Sequence, residues 1–131
     1  MTLILTLVST SKIVQVSDRR LTLNGKIHDS NATKAICASC SNAHFSVGYT
    51  GVAEIDGKRT DYWIVDQISS TFSSGHQDIG MVARKLAQDL TDAMSKLRYK
   101  GRLVRLEDKG LDLVLAGYGG PATTNLRAGS A

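Results

Sequence analysis

The first residue of this sequence with a chemical claim is the threonine directly after the initiating methionine. Once Met1 is removed, which a small second residue permits, Thr2 carries a hydroxyl nucleophile and a free α-amine of pKa about 8 on one residue. An aliphatic hydroxyl is a poor nucleophile until a base takes its proton, and an adjacent amine is such a base. A lysine ammonium close by favours the alkoxide and lowers the pKa of the amine, and Lys34 is the candidate for that cation. A buried ammonium needs a counter-charge, because an unpaired charge in a low-dielectric interior is costly. Asp18, in Ser17-Asp18-Arg19-Arg20, offers one sixteen residues after Thr2 and sixteen before Lys34. Gly48 adds a backbone N–H with no side chain in the way, the kind of donor that a tetrahedral oxyanion requires. Together these groups would carry out acyl transfer on an amide.

Strands must hold such groups in place. From Thr2 to Val16 the chain is rich in Leu, Ile, Val and Thr around the polar cluster Ser9-Thr10-Ser11-Lys12, which predicts two strands and a tight turn and sets Asp18 just past the second strand. Asn24-Gly25 predicts a turn before a short extended piece at Lys26 to His28, and Asp29 to Asn31 predicts another. Lys34 to Ala38 and Ala43 to Gly48 then read as a second hairpin around Ser39 to Asn42.

After Gly51 the period changes. Thr60 is the expected N-cap of a helix carrying Ile64, Val65, Ile68 and Phe72, closed by Ser73 to Gly75. Ile79, Val82, Leu86, Leu90, Ala93 or Met94, and Leu97 recur at spacings of three and four, which predicts a long amphipathic helix over 78–98 with Asp78 near its start. A last alternating strand runs from Leu111 to Ala116 and on to Tyr118. The fold class is therefore α+β, helices covering a mainly antiparallel sheet in a single domain.

With Thr2, Asp18, Lys34, Gly48 and Gly51 in register, the sequence resembles the proteasome subunit family of N-terminal nucleophile (Ntn) hydrolases. The resemblance implies an α-β-β-α sandwich and a threonine-type peptidase or amide hydrolase, with Thr2 as nucleophile, Lys34 and Asp18 beside it and the Gly48 amide as oxyanion donor. It also implies a substrate pocket lined by Leu21, Ala32, Ile36, Ser46 and Thr50, with a peptide or other amide as substrate and assembly into a homo-oligomer. The family continues past the strand at Leu111 with further strands and helices, so residues 1–131 are expected to be an incomplete domain. A sandwich lacking that half would leave an apolar face open around Leu111 to Leu115. A catalytically inactive subunit of the same fold, used for assembly or binding, is the second reading.

Two other constellations compete. Cys37-Ala38-Ser39-Cys40 with His44 and His28 has the donor types of a two-Cys, two-His zinc site, although the spacing is that of no recognised finger and Cys37 sits on an apolar strand. The stretch Lys96, Arg98, Lys100, Arg102 and Arg105 with Tyr99 could meet phosphate, but a solvated helix end explains it equally well. Sixteen Lys and Arg against twelve Asp and Glu is too slight an excess to imply nucleic acid. No apolar run reaches the roughly 20 residues of a membrane-spanning helix, Leu3 to Val8 lacks the flanks of a secretory signal, and two Cys make no disulfide framework. These features point to the cytoplasm, and the chemistry needs no cofactor or metal.

Overall fold

The computed structural model describes residues 3–23, 26–75, 78–99, 102–103 and 110–119. Thr2, the Asn24-Gly25 turn, Lys100, Gly101, Arg105 and the tail beyond Gly119 lie outside them.

Strands β1 (Ile4–Val8) and β2 (Ile13–Ser17) form an antiparallel hairpin in the register Leu5 to Val16 and Leu7 to Val14. Its turn is closed by Ser9, whose N–H donates to the Lys12 carbonyl at 2.9 Å and whose hydroxyl oxygen accepts from the Lys12 N–H at 3.1 Å. A second small hairpin, β3 (Leu21–Leu23) with β4 (Lys26–Asp29), follows. The expected turn after it is an Asx turn, with Asp29 Oδ1 accepting from the Asn31 N–H at 2.7 Å.

The principal sheet has the order β11-β6-β5, from β5 (Ala35–Cys40), β6 (Ala43–Gly51) and β11 (Leu111–Gly119), all antiparallel. Two short strands, β7 (Glu54–Ile55) and β8 (Lys58–Arg59), make a tight hairpin through Asp56 and Gly57, whose positive φ values of 52° and 73° suit an Asp-Gly turn. The helices are α1 (Thr60–Ser73) and α2 (Ile79–Ser95). β9 (Arg98–Tyr99) pairs with β10 (Arg102–Leu103).

Strand alternation divides β6 between two layers. Phe45, Val47 and Tyr49 are buried with Trp63, Ile64 and Ile68 of α1 and Val82 and Leu86 of α2, and Ile36, Ala38, Leu111, Leu113 and Leu115 pack against this core. The β1–β2 hairpin lies against the opposite face, where the Gln15 side chain stands over Gly48 and donates to the Val114 carbonyl at 3.3 Å. The described residues thus form helices, a three-stranded sheet and a hairpin in successive layers of an α+β chain.

The sequence reading needs three corrections. Leu111, Leu113 and Leu115 face the helices instead of lying open, and the exposed apolar face belongs to β1 and β2, where Leu3, Leu5, Leu7, Val14 and Val16 are 43–66% exposed. Thr60 is the first helical residue and not the cap; the capping position falls to Arg59, while the Thr60 hydroxyl donates to the Val52 carbonyl at 2.6 Å. The long helix stops at Ser95 with Lys96 as its C-cap, because the chain turns into β9 at Arg98, so Leu97 lies past the helix and of the described basic residues only Lys96 stands at its end.

Candidate active site

Lys34 is the most deeply buried charged residue among those described, at 2% exposure. It immediately precedes β5, and its own carbonyl accepts from the Tyr49 N–H at 3.0 Å, which anchors its backbone to the central strand. Its ammonium donates to Asp18 Oδ1 at 3.1 Å and to the Arg20 carbonyl. Two oxygens from the segment just after β2 therefore meet one cation, and the expected Asp18–Lys34 pairing is present.

Asp18 is tied on its other side to the start of the chain. Its carboxylate accepts from the Leu3 N–H at 3.3 Å, and the Asp18 N–H donates to the Leu3 carbonyl at 3.3 Å. The residue that follows Thr2 is thus fastened by both backbone groups to the carboxylate that partners Lys34. Burial works against ionisation of Asp18, but the hydrogen bond and charge of Lys34, with the Leu3 and Arg20 N–H groups, hold its carboxyl below the usual carboxylate value. The Asp18 side chain remains 36% exposed, so solvent screens part of this field.

Gly48 is paired with Ala35 on one side and Val114 on the other, at the centre of the sheet. Its approach from the hairpin side is filled: a Cβ at residue 48 would stand 3.0 Å from Gln15 Cδ. Gln15 is locked there by donating to Thr6 Oγ1 at 3.2 Å as well as to Val114, and its Oε1 is buried with no donor among the described residues. Gly51, the other expected glycine, has φ +116°, and any side chain there would collide with the Gly110 carbonyl, so it serves the junction of β6 and β11.

The five expected pocket residues do not share one surface. Leu21 and Ala32 are buried together with Ala53 in a separate small core. Ile36 packs on the helix side of the sheet, whereas Ser46 and Thr50 alternate with Phe45, Val47 and Tyr49 and so share the hairpin side with Gly48.

The cysteines and histidines are dispersed. Cys37 is exposed on the hairpin side and Cys40 packs on the helix side, so their side chains point to opposite faces of β5. His28 Nε2 lies 3.5 Å from Glu54 Oε1, and His44 Nδ1 is 2.7 Å from Ser39 Oγ. Among the described residues no three His, Cys, Asp or Glu side chains converge as metal ligands.

Sequence reasoning passed over one feature of this region. At the turn end of the hairpin an open cleft of about 350 Å³ is lined by Ile13, Cys37, Ser39, His44, Ser46 and Tyr118. The Tyr118 hydroxyl donates to the Ser9 carbonyl and closes one side of it. Polar residues alternating on β5 and β6 are the signal that pointed there. No helix among the described residues is long and apolar enough to cross a membrane. No protein-family model, curated protein or solved structure matches this chain.

Proposed function

We propose that this chain is a proteasome-like threonine-type amide hydrolase of the Ntn class, with Thr2 as its nucleophile after removal of Met1 and a peptide or related amide as its substrate. The observation that carries this reading is the buried Lys34 ammonium on Asp18, with the Leu3 N–H on the same carboxylate. Thr2 is bonded covalently to that Leu3 nitrogen, which is the sequence link between the proposed nucleophile and the Asp18–Lys34 pair.

In the proposed cycle the α-amine of Thr2 takes the hydroxyl proton, and the oxygen attacks the substrate carbonyl under the field of Lys34. Collapse of the tetrahedral intermediate returns the proton to the leaving amine, and water releases the acyl group from Thr2. Asp18 aims Lys34 through their hydrogen bond, a positioning role. The α-β-β-α sandwich, assembly into a homo-oligomer and a cytoplasmic setting belong to the same proposal. Two free thiols on opposite faces suit a reducing compartment.

One observation favours the second reading, a catalytically inactive subunit used for assembly or binding. The Gln15 side chain occupies the approach to Gly48, where an oxyanion donor would have to be open.

Intact mass of the purified full chain, followed by hydrolysis of a fluorogenic peptide panel, tests the proposal. The active reading requires loss of Met1 and turnover that falls about 100-fold or more in Thr2→Ala and Lys34→Met. Retained Met1, or turnover untouched by Thr2→Ala, would overturn it.

A further inference from the structure

We infer that the outward face of the β1–β2 hairpin is a self-association surface, and that a second copy of this chain seats the same face upon it. The inference does not depend on Thr2 chemistry, and it concerns residues 1–131, where α1 and α2 both lie on the other side of the sheet and the second helix layer of the proposed sandwich is not among the described residues.

Register and exposure define the face. Leu5 pairs with Val16 and Leu7 with Val14, and Leu3 continues the row. Their exposures are 60% for Leu3, 58% for Leu5, 66% for Leu7, 43% for Val14 and 56% for Val16, whereas Ile13, Gln15 and Ser17 turn inward. Other exposed large apolar residues, such as Tyr62, Val65 and Met81 on the helices, carry no such cross-strand row.

Within the described residues the apolar faces of α1 and α2 are committed to the far side of the three-stranded sheet, so neither helix is free to cover this one. Five side chains at these exposures present about 500 Å², near the upper end of what a monomer carries in one patch. Two copies face to face would bury at most about 1,000 Å² from these residues alone, which brings the contact to the lower limit for a specific interface. The charge pattern agrees. A chain of net charge +4 repels its copies in general, but no outward position from Leu3 to Leu7 or from Val14 to Val16 carries a charge. A pleated row of Leu and Val meets a second such row with like chemistry on both sides, as a two-fold sheet-on-sheet contact requires.

Sedimentation equilibrium of the full chain from about 1 to about 200 µM tests this, since an interface at the small end of the specific range dissociates at micromolar concentration. Wild type is expected to pass from monomer to dimer across that range. Leu5→Lys and Leu5→Glu should each stay monomeric, and an equimolar mixture of the two should regain the dimer. Circular dichroism checks that both variants fold. Val14→Thr, which keeps strand propensity, should weaken association about tenfold and decides the matter if either charged variant unfolds. A wild-type monomer at every concentration would overturn the proposal, as would dimers that persist in folded Leu5→Lys and Leu5→Glu. So would a wild-type monomer that floats with phosphatidylcholine vesicles, which would make lipid the cover.

Discussion

Asn42 Nδ2 lies 2.6 Å from Asp78 Oδ2 and joins the turn between β5 and β6 to the N-cap of α2. The same Asn42 accepts from the Ile79 N–H at 3.1 Å, while Asp78 accepts from the Met81 N–H at 3.1 Å. One helix end is thus satisfied jointly, by its own cap and by a side chain 36 residues earlier. Asn42→Ala removes these two bonds, together with the one its Oδ1 accepts from Cys40 Sγ at 3.1 Å, and leaves Asp78 to cap alone, so it should cost about 1–2 kcal/mol. Calorimetry should show a midpoint lower by about 5 °C, and an unchanged midpoint would mean that Asp78 suffices.

Asp18 gives the protein a defined acid limb. Its carboxyl titrates below its ordinary 3.8 in the folded chain, so its stabilising contribution is fully present above about pH 4. That contribution is lost as pH falls from the ordinary value towards the lowered one. In Asp18→Asn this part of the pH dependence should vanish. Thermal midpoints measured from about pH 2.5 to about pH 6 should therefore converge between wild type and variant at the acid end, and parallel curves would show that the pair adds nothing.

Leu86, 2% exposed on α2, is buried in the core shared with α1 and β6. Truncation to alanine should cost about 2–5 kcal/mol, the range for large-to-small core changes. Denaturant unfolding would read this directly, and a loss under about 1 kcal/mol would place α2 at the periphery.

Tyr49 is 1% exposed and its hydroxyl has no hydrogen-bond partner among the described residues. Burial, with the negative charge of Asp61 in support, pushes its pKa up to about 12, against the opposing charge of Arg59 and the Asp61 backbone N–H. The Asp61 backbone N–H approaches this hydroxyl without forming a well-aligned hydrogen bond, so Tyr49→Phe removes a desolvation cost larger than the contact it loses and should leave stability unchanged or raise it by about 1 kcal/mol. A fall of that size in urea unfolding would reveal a partner that the hydroxyl needs.

Much of this architecture could be read from local chemistry. The Ser9 to Lys12 turn, the β5–β6 hairpin and the Asp78 cap each rest on residues close in sequence, and each is found. The Lys34–Asp18 pair was legible as well, because a lone lysine opening an apolar strand must find an acid. The β7–β8 hairpin carried a plain Asp56-Gly57 signal that the change of period after Gly51 overshadowed. Leu111, Leu113 and Leu115 were another matter: alternation tells which residues share a face, but the partner of that face is set by packing, and here it is the helices. Thr60 failed as a cap for a similar reason, since its hydroxyl is claimed by the Val52 carbonyl. The Gln15 side chain over Gly48 has no local signature, being joined to Val114 across 99 residues.

The pairing of β6 with β11 has a consequence for synthesis. β6 acquires β5 across a short turn, but its other neighbour begins at Leu111, sixty residues of chain beyond Gly51. At the usual elongation rate of about 5–20 residues per second, the free edge of this nine-residue strand waits on the ribosome for about 3–12 seconds. Both helices are made in that interval and can cover Phe45, Val47 and Tyr49 from one side. The backbone edge itself stays unpaired until the last described strand arrives, so the nascent chain is most vulnerable to strand capture by a neighbour just before translation reaches Leu111.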